Sequence, residues 1–308
     1  MEVKNEKRKV KSEKRKVVKI NEIIRHTFKA LRHELGHDRP RDTRPMWLQR
    51  LSADSDFCRA VVANGYLTEA QMQHAVQRYR LGCSRDGGVI FWQIDTMNEI
   101  FDGKIMYYHK DCHRDHSRNP QWVSNRLKRY YLKDDVELIT AIPSHHCLFG
   151  THLLKTLPQP LPIGRGVVTS STEESASKSF YSPPLQGGAG GGSTIAVVEA
   201  EKTAVIMSEV KPQYLWLAAG GLYELTADKL FPLRHHRVVL FPDTDPDLQA
   251  YTRWYHVAQE TRRLYGCDVS VSPLLEQRAT PEQKQRKIDL IDYLFEVKSD
   301  KSHIKSKI

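Results

Sequence analysis

The chain has 308 residues, 40% of them hydrophobic, and a formal net charge of +10 at pH 7. This length and composition can supply two domains with hydrophobic cores, and the positive charge favours a polyanion as partner. No apolar run approaches the length of a membrane span, and the chain begins with a charge run rather than a secretory signal. We therefore expect a soluble protein.

The cysteines indicate a reducing compartment. The five of them are widely scattered, without a CxxC pair, in a chain that shows no export signal. Reduced thiols are the expected state of such residues. We therefore predict a cytoplasmic location.

Residues 1–46 are predicted to form a basic helical arm. Residues 1–19 hold nine Lys or Arg against three Glu, and an amphipathic helical pattern continues through Phe28 and Leu35 to Gly36. A charge run of this kind is typical of a solvated arm. Such an arm could still raise the affinity for nucleic acid by releasing counterions from phosphates.

An α+β region is predicted over residues 47–155. Its first part, from Leu48 to Leu81, has a helical pattern with a capping box at Thr68 and Gln71. Two short helices around NGYLT could imitate a helix-turn-helix, although ordinary packing accounts for their apolar face. GGVIFWQID and GKIMYYH then predict the two strands of a hairpin, joined by TMNEIFD.

The stretch HKDCHRDHSRNPQWVSNRLKRYYL mixes histidine, basic and aromatic residues. Its His109, Cys112, His113 and His116 could be a zinc cluster, but adjacent Cys112 and His113 point in different directions in a strand or a helix. Alternating rings and cations suit single-stranded nucleic acid, whose bases stack on rings. The alternative is a helix with its aromatics toward the core and its cations toward water. The candidate nucleic-acid-binding residues are Arg114, Arg118, Trp122, Arg126, Lys128 and Arg129.

Residues 156–194 interrupt this pattern. They hold five Pro, seven Gly and many Ser and Thr, with little to bury. Such a segment cannot offset the entropy of ordering it, so we predict a disordered Gly/Pro/Ser-rich insert or linker. A second domain is predicted over residues 195–298, and a short tail, 299–308, follows it.

Acidic residues follow two apolar, strand-like runs in this second domain. Glu199 and Glu201 come after one run, and Asp243, Asp245 and Asp247 come after another. Such runs are typical of a parallel sheet, whose chemistry lies beyond the carboxyl ends of its strands. Crowded carboxylates repel one another at low dielectric unless a cation such as Mg²⁺ neutralises them. A solvated acidic turn is the alternative for residues 243–247.

This arrangement resembles the Toprim domain shared by bacterial primases, topoisomerases and some nucleases. The matching residues are Glu199 in VEAE, Gly220 and Gly221 in AAGG, and Asp243 with Asp245 in DTD. VEAEKTA is also similar to the VEGEKDA form of phage and plasmid primases. KIDLIDYL is similar to the D-x-x-D-x-L segment of primase-type Toprim regions, which places Asp289 and Asp292 near the site.

A second resemblance runs from about residue 57 onward. FWQID, GKIM, WVS and FGTHLL are similar to segments of an uncharacterised primase-like family associated with bacterial mobile elements. In that family these segments precede a Toprim half. The resemblance therefore implies an architecture more than a mechanism.

The Toprim resemblance implies a fold, a cofactor and partners. The fold is α/β, with a Toprim-like Rossmann-type sheet flanked by helices, preceded by a smaller α+β region and a basic helical N-terminus. The cofactor would be Mg²⁺ or Mn²⁺. The partners would be nucleic acid, in particular single-stranded DNA, and a helicase or other replication protein. By resemblance Glu199 and Lys202 would be catalytic, and the metal ligands would be Asp243, Asp245, Glu201 and Asp247.

Several functions stay open. Primase-like nucleotidyl transfer for a mobile element is the main expectation, and strand cleavage at the same metal site is the second. A nucleic-acid-binding accessory protein without turnover is favoured by Ala200 in place of Gly, by Pro246 and Asp247 after DTD, and by the missing zinc-ribbon cysteine pairs. A purely structural protein would show no salt-sensitive affinity for nucleic acid.

Overall fold

The computed structural model describes residues 48–132, 146–156 and 194–296, together with the isolated positions 12, 22 and 25. The predicted arm, insert and tail lie outside the described residues, apart from those positions and the two end residues of the insert. The described chain contains one antiparallel and one parallel sheet. The prediction of a parallel sheet flanked by helices and preceded by an α+β region is confirmed.

The antiparallel sheet has five strands in the order β1-β2-β3-β4-β5. They are β1 (Leu48–Leu51), β2 (Gly82–Ser84), β3 (Val89–Ile94), β4 (Ile100–Met106) and β5 (Gln121–Trp122). The predicted hairpin is β3 and β4, but β4 begins inside the sequence expected to be a loop. The helical prediction for Leu48–Leu51 is wrong, because this segment pairs as a strand with β2.

Three helices belong to this α+β region: α1 (Asp56–Ala63), α2 (Glu69–Tyr79) and α3 (Val123–Leu132). The capping box that opens α2 is present, with the Thr68 side chain accepting from the Gln71 N–H and the Gln71 side chain accepting from the Thr68 N–H. The apolar face of α2 is buried. This agrees with the packing explanation for the helix pair around NGYLT.

The parallel sheet has four strands in the order β7-β6-β8-β9. They are β6 (Ile195–Val198), β7 (Leu215–Ala218), β8 (Val238–Phe241) and β9 (Val269–Val271). Strands β6 and β7 are buried along their whole length, as their continuous apolar runs require. Strands β6 and β8 are parallel neighbours, so their carboxyl ends lie at the same edge of the sheet.

Helices flank this sheet. They are α4 (Glu201–Val210), α5 (Ala227–Leu230), α6 (Gln249–Tyr265), α7 (Leu274–Arg278) and α8 (Pro281–Gln285), and residues 290–296 are also helical. Among the described helices, none combines the length and the apolar character needed to cross a membrane.

The two sheets share one hydrophobic core. Tyr79 of α2 is fully buried, stacks on Phe149 and donates to the Trp216 carbonyl at 2.8 Å. Phe149 also makes two backbone hydrogen bonds with Ala218, the last residue of β7. The α+β region is therefore packed directly against the parallel sheet.

Candidate functional site

Glu199 lies immediately beyond β6, at the carboxyl edge of the parallel sheet. Its backbone carbonyl accepts from the Gly220 N–H at 2.9 Å. Burial raises the pKa of this carboxyl group; the Leu222 N–H and Lys104 oppose the rise, while Asp289 and Asp245 add to it. Glu199 is therefore held by the glycine turn that follows β7.

Asp243 reaches the same edge from β8. Val198 and Phe241 are register partners on the parallel strands, so Glu199 and Asp243 follow from adjacent strand ends. Burial raises the pKa of Asp243 well above its usual value, and the negative charges of Glu199 and Asp289 raise it further. The structure thus brings together the two acidic turns that the sequence separates widely.

Asp245 has a structural contact that the sequence did not predict. Its Oδ1 accepts from the N–H groups of Asp247 and Gln249, and its Oδ2 accepts from the Ala250 N–H. The side chain is buried, yet these backbone N–H groups lower its pKa. Both carboxylate oxygens therefore serve the start of helix α6. Asp247 is exposed and lines an open groove of about 630 Å³ beside α6.

Glu201 begins helix α4 and is buried against a cation from the other sheet. Lys104 of β4 places its Nζ at 3.1 Å from Oε1 and 3.2 Å from Oε2 of Glu201. The same Nζ donates to the Gly220 carbonyl at 2.6 Å. The Glu201 carboxylate is therefore neutralised within the protein.

Lys202 pairs with the acidic segment near the C-terminal end of the described chain. Its Nζ lies 3.2 Å from Asp289 Oδ2, which also accepts from the Thr203 hydroxyl at 2.8 Å. Burial opposes the charge of Lys202, but Asp289 and Asp292 together raise its pKa. The expectation that Asp289 and Asp292 lie near the site agrees with these contacts.

Gly220 and Gly221 match glycines of the motif compared above, whereas Ala200 stands where that motif has a glycine. The backbone requirements at these positions differ. Gly220 and Gly221 have φ angles of +94° and +155°, a region that favours glycine. A Cβ at Gly220 would lie 3.3 Å from Glu201 Oε1. Ala200, by contrast, has an extended φ of −97°, which an alanine adopts without strain. The departure from glycine at this position therefore costs the backbone nothing.

The fit of a divalent cation depends on Glu199 and Asp243. In residues 48–132, 146–156 and 194–296, no three or more His, Cys, Asp or Glu side chains are grouped so that they could hold a metal ion. Mg²⁺ often takes only one or two protein carboxylates and keeps several waters. These two neighbouring carboxylates resist ionisation and match such a small set of protein ligands, because a bound cation would relieve the repulsion between them. The metal assignment stays a prediction.

The predicted nucleic-acid-binding residues are divided by the structure. Arg118 and Arg126 pair with Asp86, at 2.8 and 2.9 Å, and the Arg118 guanidinium lies over the Tyr107 ring. Lys128 is buried. Trp122 stacks on the His146 ring, while Arg114 and Arg129 are exposed. A cation on this surface is therefore as often a structural partner as a group facing solvent.

The four residues of the possible zinc cluster are likewise divided between buried and exposed positions. Cys112 is buried in a left-handed turn, and burial raises the pKa of its thiol to about 12. His109, His113 and His116 are exposed. In the part of the chain that the structure describes, these four residues are not grouped so that they could hold a metal ion.

Lys104 is the residue of this site that sequence reasoning missed. GKIM was interpreted as a strand, and a lysine within a strand suggests a solvent-facing position. The sequence did contain a signal for this role: Lys104 lies among mostly apolar residues, as in VIFWQI and KIMYY. A charged residue in such surroundings needs a partner.

The fold and site define an α/β protein with a parallel sheet and two acidic turns at its carboxyl edge. The family DUF6371, described as a domain of unknown function, matches residues 55–176 and 188–244, more than half of the chain. The chain belongs to this family.

No curated protein matches the chain. Among solved structures, the crystal structure of the primase fragment of the bacteriophage T7 primase-helicase protein is similar, at 16% identity and a TM-score of 0.38. The match covers 76% of this chain and 72% of that one.

Proposed function

We propose that this chain is a Mg²⁺-dependent, Toprim-type protein that acts on nucleic acid and catalyses primase-like nucleotidyl transfer for a mobile element. The observation that supports the proposal is the convergence of Glu199 and Asp243 at the ends of adjacent parallel strands, where Glu199 raises the pKa of Asp243. Two carboxylates held at one sheet edge are suited to bind a hard cation and to move a proton.

The proposed roles follow from these contacts. Glu199, whose backbone carbonyl is held by the Gly220 N–H, is the general acid or base, and Asp243 is the principal carboxylate for Mg²⁺ or Mn²⁺. The bound cation would neutralise phosphate charge. Asp245, Glu201 and Asp247 are auxiliary in this scheme. Lys202 can stabilise phosphate charge only if its ammonium reaches the substrate while it remains beside Asp289.

Single-stranded DNA is the proposed nucleic-acid partner, and a helicase or another replication protein is a further one. The net charge of +10 supports a polyanion, as do the exposed Arg114 and Arg129. A cytoplasmic location is part of the same proposal.

The test compares the purified full chain with Asp243→Ala and Glu199→Gln, given single-stranded DNA, nucleotides and Mg²⁺ or Mn²⁺. We expect metal-dependent product from the wild type and a fall of about 10²- to 10⁴-fold in Glu199→Gln, the usual contribution of a general acid or base. The exposed Asp268→Asn variant is the matched control and should keep full activity. Shortened strands instead of extended ones would replace nucleotidyl transfer with strand cleavage.

A nucleic-acid-binding accessory protein is the second candidate. It is favoured by the internal pairing of Glu201 with Lys104 and of Lys202 with Asp289, and by the use of both Asp245 oxygens at the start of α6. In this case the wild type gives no product with either metal. Its affinity for single-stranded DNA is then unchanged by Asp243→Ala.

A further inference from the structure

Lys104 is a buried cation that reaches from one sheet to the other. It belongs to β4 of the antiparallel sheet and is only 9% exposed. Its ammonium contacts the Glu201 carboxylate and the Gly220 carbonyl, both of which belong to the parallel-sheet half. A buried ammonium is costly unless it is paired and hydrogen-bonded, so these contacts fix its position.

The two groups that Lys104 contacts lie on either side of Glu199. Glu201 opens helix α4 directly after the β6 turn. Gly220 belongs to the glycine turn after β7, and its N–H donates to the Glu199 carbonyl. One ammonium therefore ties together the two turns that flank Glu199.

Gly220 depends on such a tie. Its φ of +94° and the φ of +155° at Gly221 are accessible mainly to glycine, which is also the residue with the largest freedom to leave them. Glycine turns therefore need an external contact if they are to present a group in one position. The 2.6 Å hydrogen bond from Lys104 is such a contact.

We propose that Lys104 is a positioning residue for the site at the carboxyl edge of the parallel sheet. It orders the glycine turn, and through the Gly220 N–H, which donates to the Glu199 carbonyl, it sets the position of Glu199. This inference rests on the proposed function. It adds that the α+β region supplies a necessary part of the site, although Lys104 itself touches no reacting atom.

The competing explanation is that Lys104 only neutralises Glu201. The two explanations differ for the double variant Lys104→Met/Glu201→Gln, which removes both charges. A mere counterion is no longer needed once Glu201 is neutral, so the double variant should then be as active as Glu201→Gln alone. A positioning residue is still missing, because neither Met nor Gln can replace the hydrogen bond to the Gly220 carbonyl from β4.

Activity is the first measurement. Relative to Glu201→Gln alone, we expect the double variant to lower kcat about 10- to 100-fold with KM changed less than about twofold, because small displacements of a catalytic group reduce the rate by such factors. Lys104→Arg should recover part of kcat, since a guanidinium can also donate to a carbonyl. The exposed Lys155→Met is the matched control. A kcat in the double variant equal to that of Glu201→Gln would overturn the proposal.

Amide hydrogen exchange is the second measurement, and it does not depend on turnover. In the double variant the N–H group of Gly220 should exchange at least about 10-fold faster, while those of β6 stay protected. Unchanged amide exchange rates would overturn the inference even if the wild-type chain is an active enzyme. A wild-type chain without product would remove the proposed function alone, and the exchange rates would still decide whether Lys104 orders the turn.

Discussion

At the residue scale, Asp243 is a carboxyl group that is both buried and close to other negative charges. Burial and the nearby Glu199 and Asp289 charges raise its pKa, so the native protein holds this proton above the pH at which the unfolded chain releases it. A carboxyl group of this kind contributes stability below its native pKa and loses it as the pH rises. The site is therefore built at a cost to stability in alkaline solution.

Asp243→Asn should remove that cost. We expect the variant to equal the wild type near pH 3, where both states are protonated, and to exceed it by on the order of 1 kcal/mol near pH 8. Denaturant unfolding across this range measures the difference, with Asp268→Asn as the control. Parallel stability curves for Asp243→Asn and the wild type would contradict the expected linkage.

The sequence identified the acidic residues but not their partners. Asp243 and Glu199 follow apolar runs, so strand ends could be expected to bring them together. The three backbone N–H groups on Asp245 depend on how the chain turns into α6 through Leu248, which has a φ of +57°. Lys104 lies far from Glu201 in the chain, and only the packing of two sheets brings them together.

At the element scale, helix α3 and the loop before it show why a basic stripe is an incomplete predictor of binding. Spacing along the chain indicated a row of cations next to aromatic rings. Asp86, from the turn between β2 and β3, takes Arg118 and Arg126 as partners. Burial raises its pKa, but hydrogen bonds from Arg126, Ser84 and Tyr107 hold the pKa well below the usual value. No local pattern indicates this long-range pairing.

Substitutions should separate the two groups of cations. Arg114→Ala and Arg129→Ala should each lower the salt dependence of single-stranded DNA binding by about one unit of slope, without changing Tm. Arg118→Ala should lower stability by roughly 1 kcal/mol, because it removes an ion pair and a contact with the Tyr107 ring.

Fluorescence anisotropy at several salt concentrations measures the affinities, and thermal unfolding measures the stabilities. Equal DNA affinity in the wild type, Arg114→Ala and Arg129→Ala would exclude this surface as the binding site.

At the scale of the whole molecule, the two sheets share buried aromatic contacts. Tyr79 stacks on Phe149 at 5.1 Å between ring centroids, and Phe149 contacts Phe91 of β3 edge-on. The Tyr79 hydroxyl reaches β7 through the Trp216 carbonyl. We therefore expect the described regions to unfold together rather than as separate domains.

Tyr79→Ala should lower the free energy of unfolding by about 3–5 kcal/mol, the range for large-to-small changes of a buried aromatic residue. Tyr79→Phe, which loses only the hydroxyl group, should cost about 1 kcal/mol. Tryptophan fluorescence and far-ultraviolet circular dichroism should report one coincident transition in each variant. The exposed Tyr223→Ala is the control, and two separated transitions would show that the sheets unfold independently.

The sequence could predict most of this architecture, because the strands of the parallel sheet are short, continuous apolar runs between helical patterns. It failed at Leu48–Leu51, where the segment is too short for its period to separate a strand from a helix, and pairing with β2 decides the outcome. Local pattern determines the elements, whereas the contact between the two sheets depends on residues that are distant in the chain.

The paired backbone of Phe149 and Ala218 has a consequence for self-association. Strand β7 is one of the two outer strands of the parallel sheet, and an open outer strand can recruit strands from other molecules into aggregates. Phe149 already occupies the donor and the acceptor of Ala218 at one end of that strand. A nascent aggregate would have to displace a fully buried aromatic side chain before it could dock there.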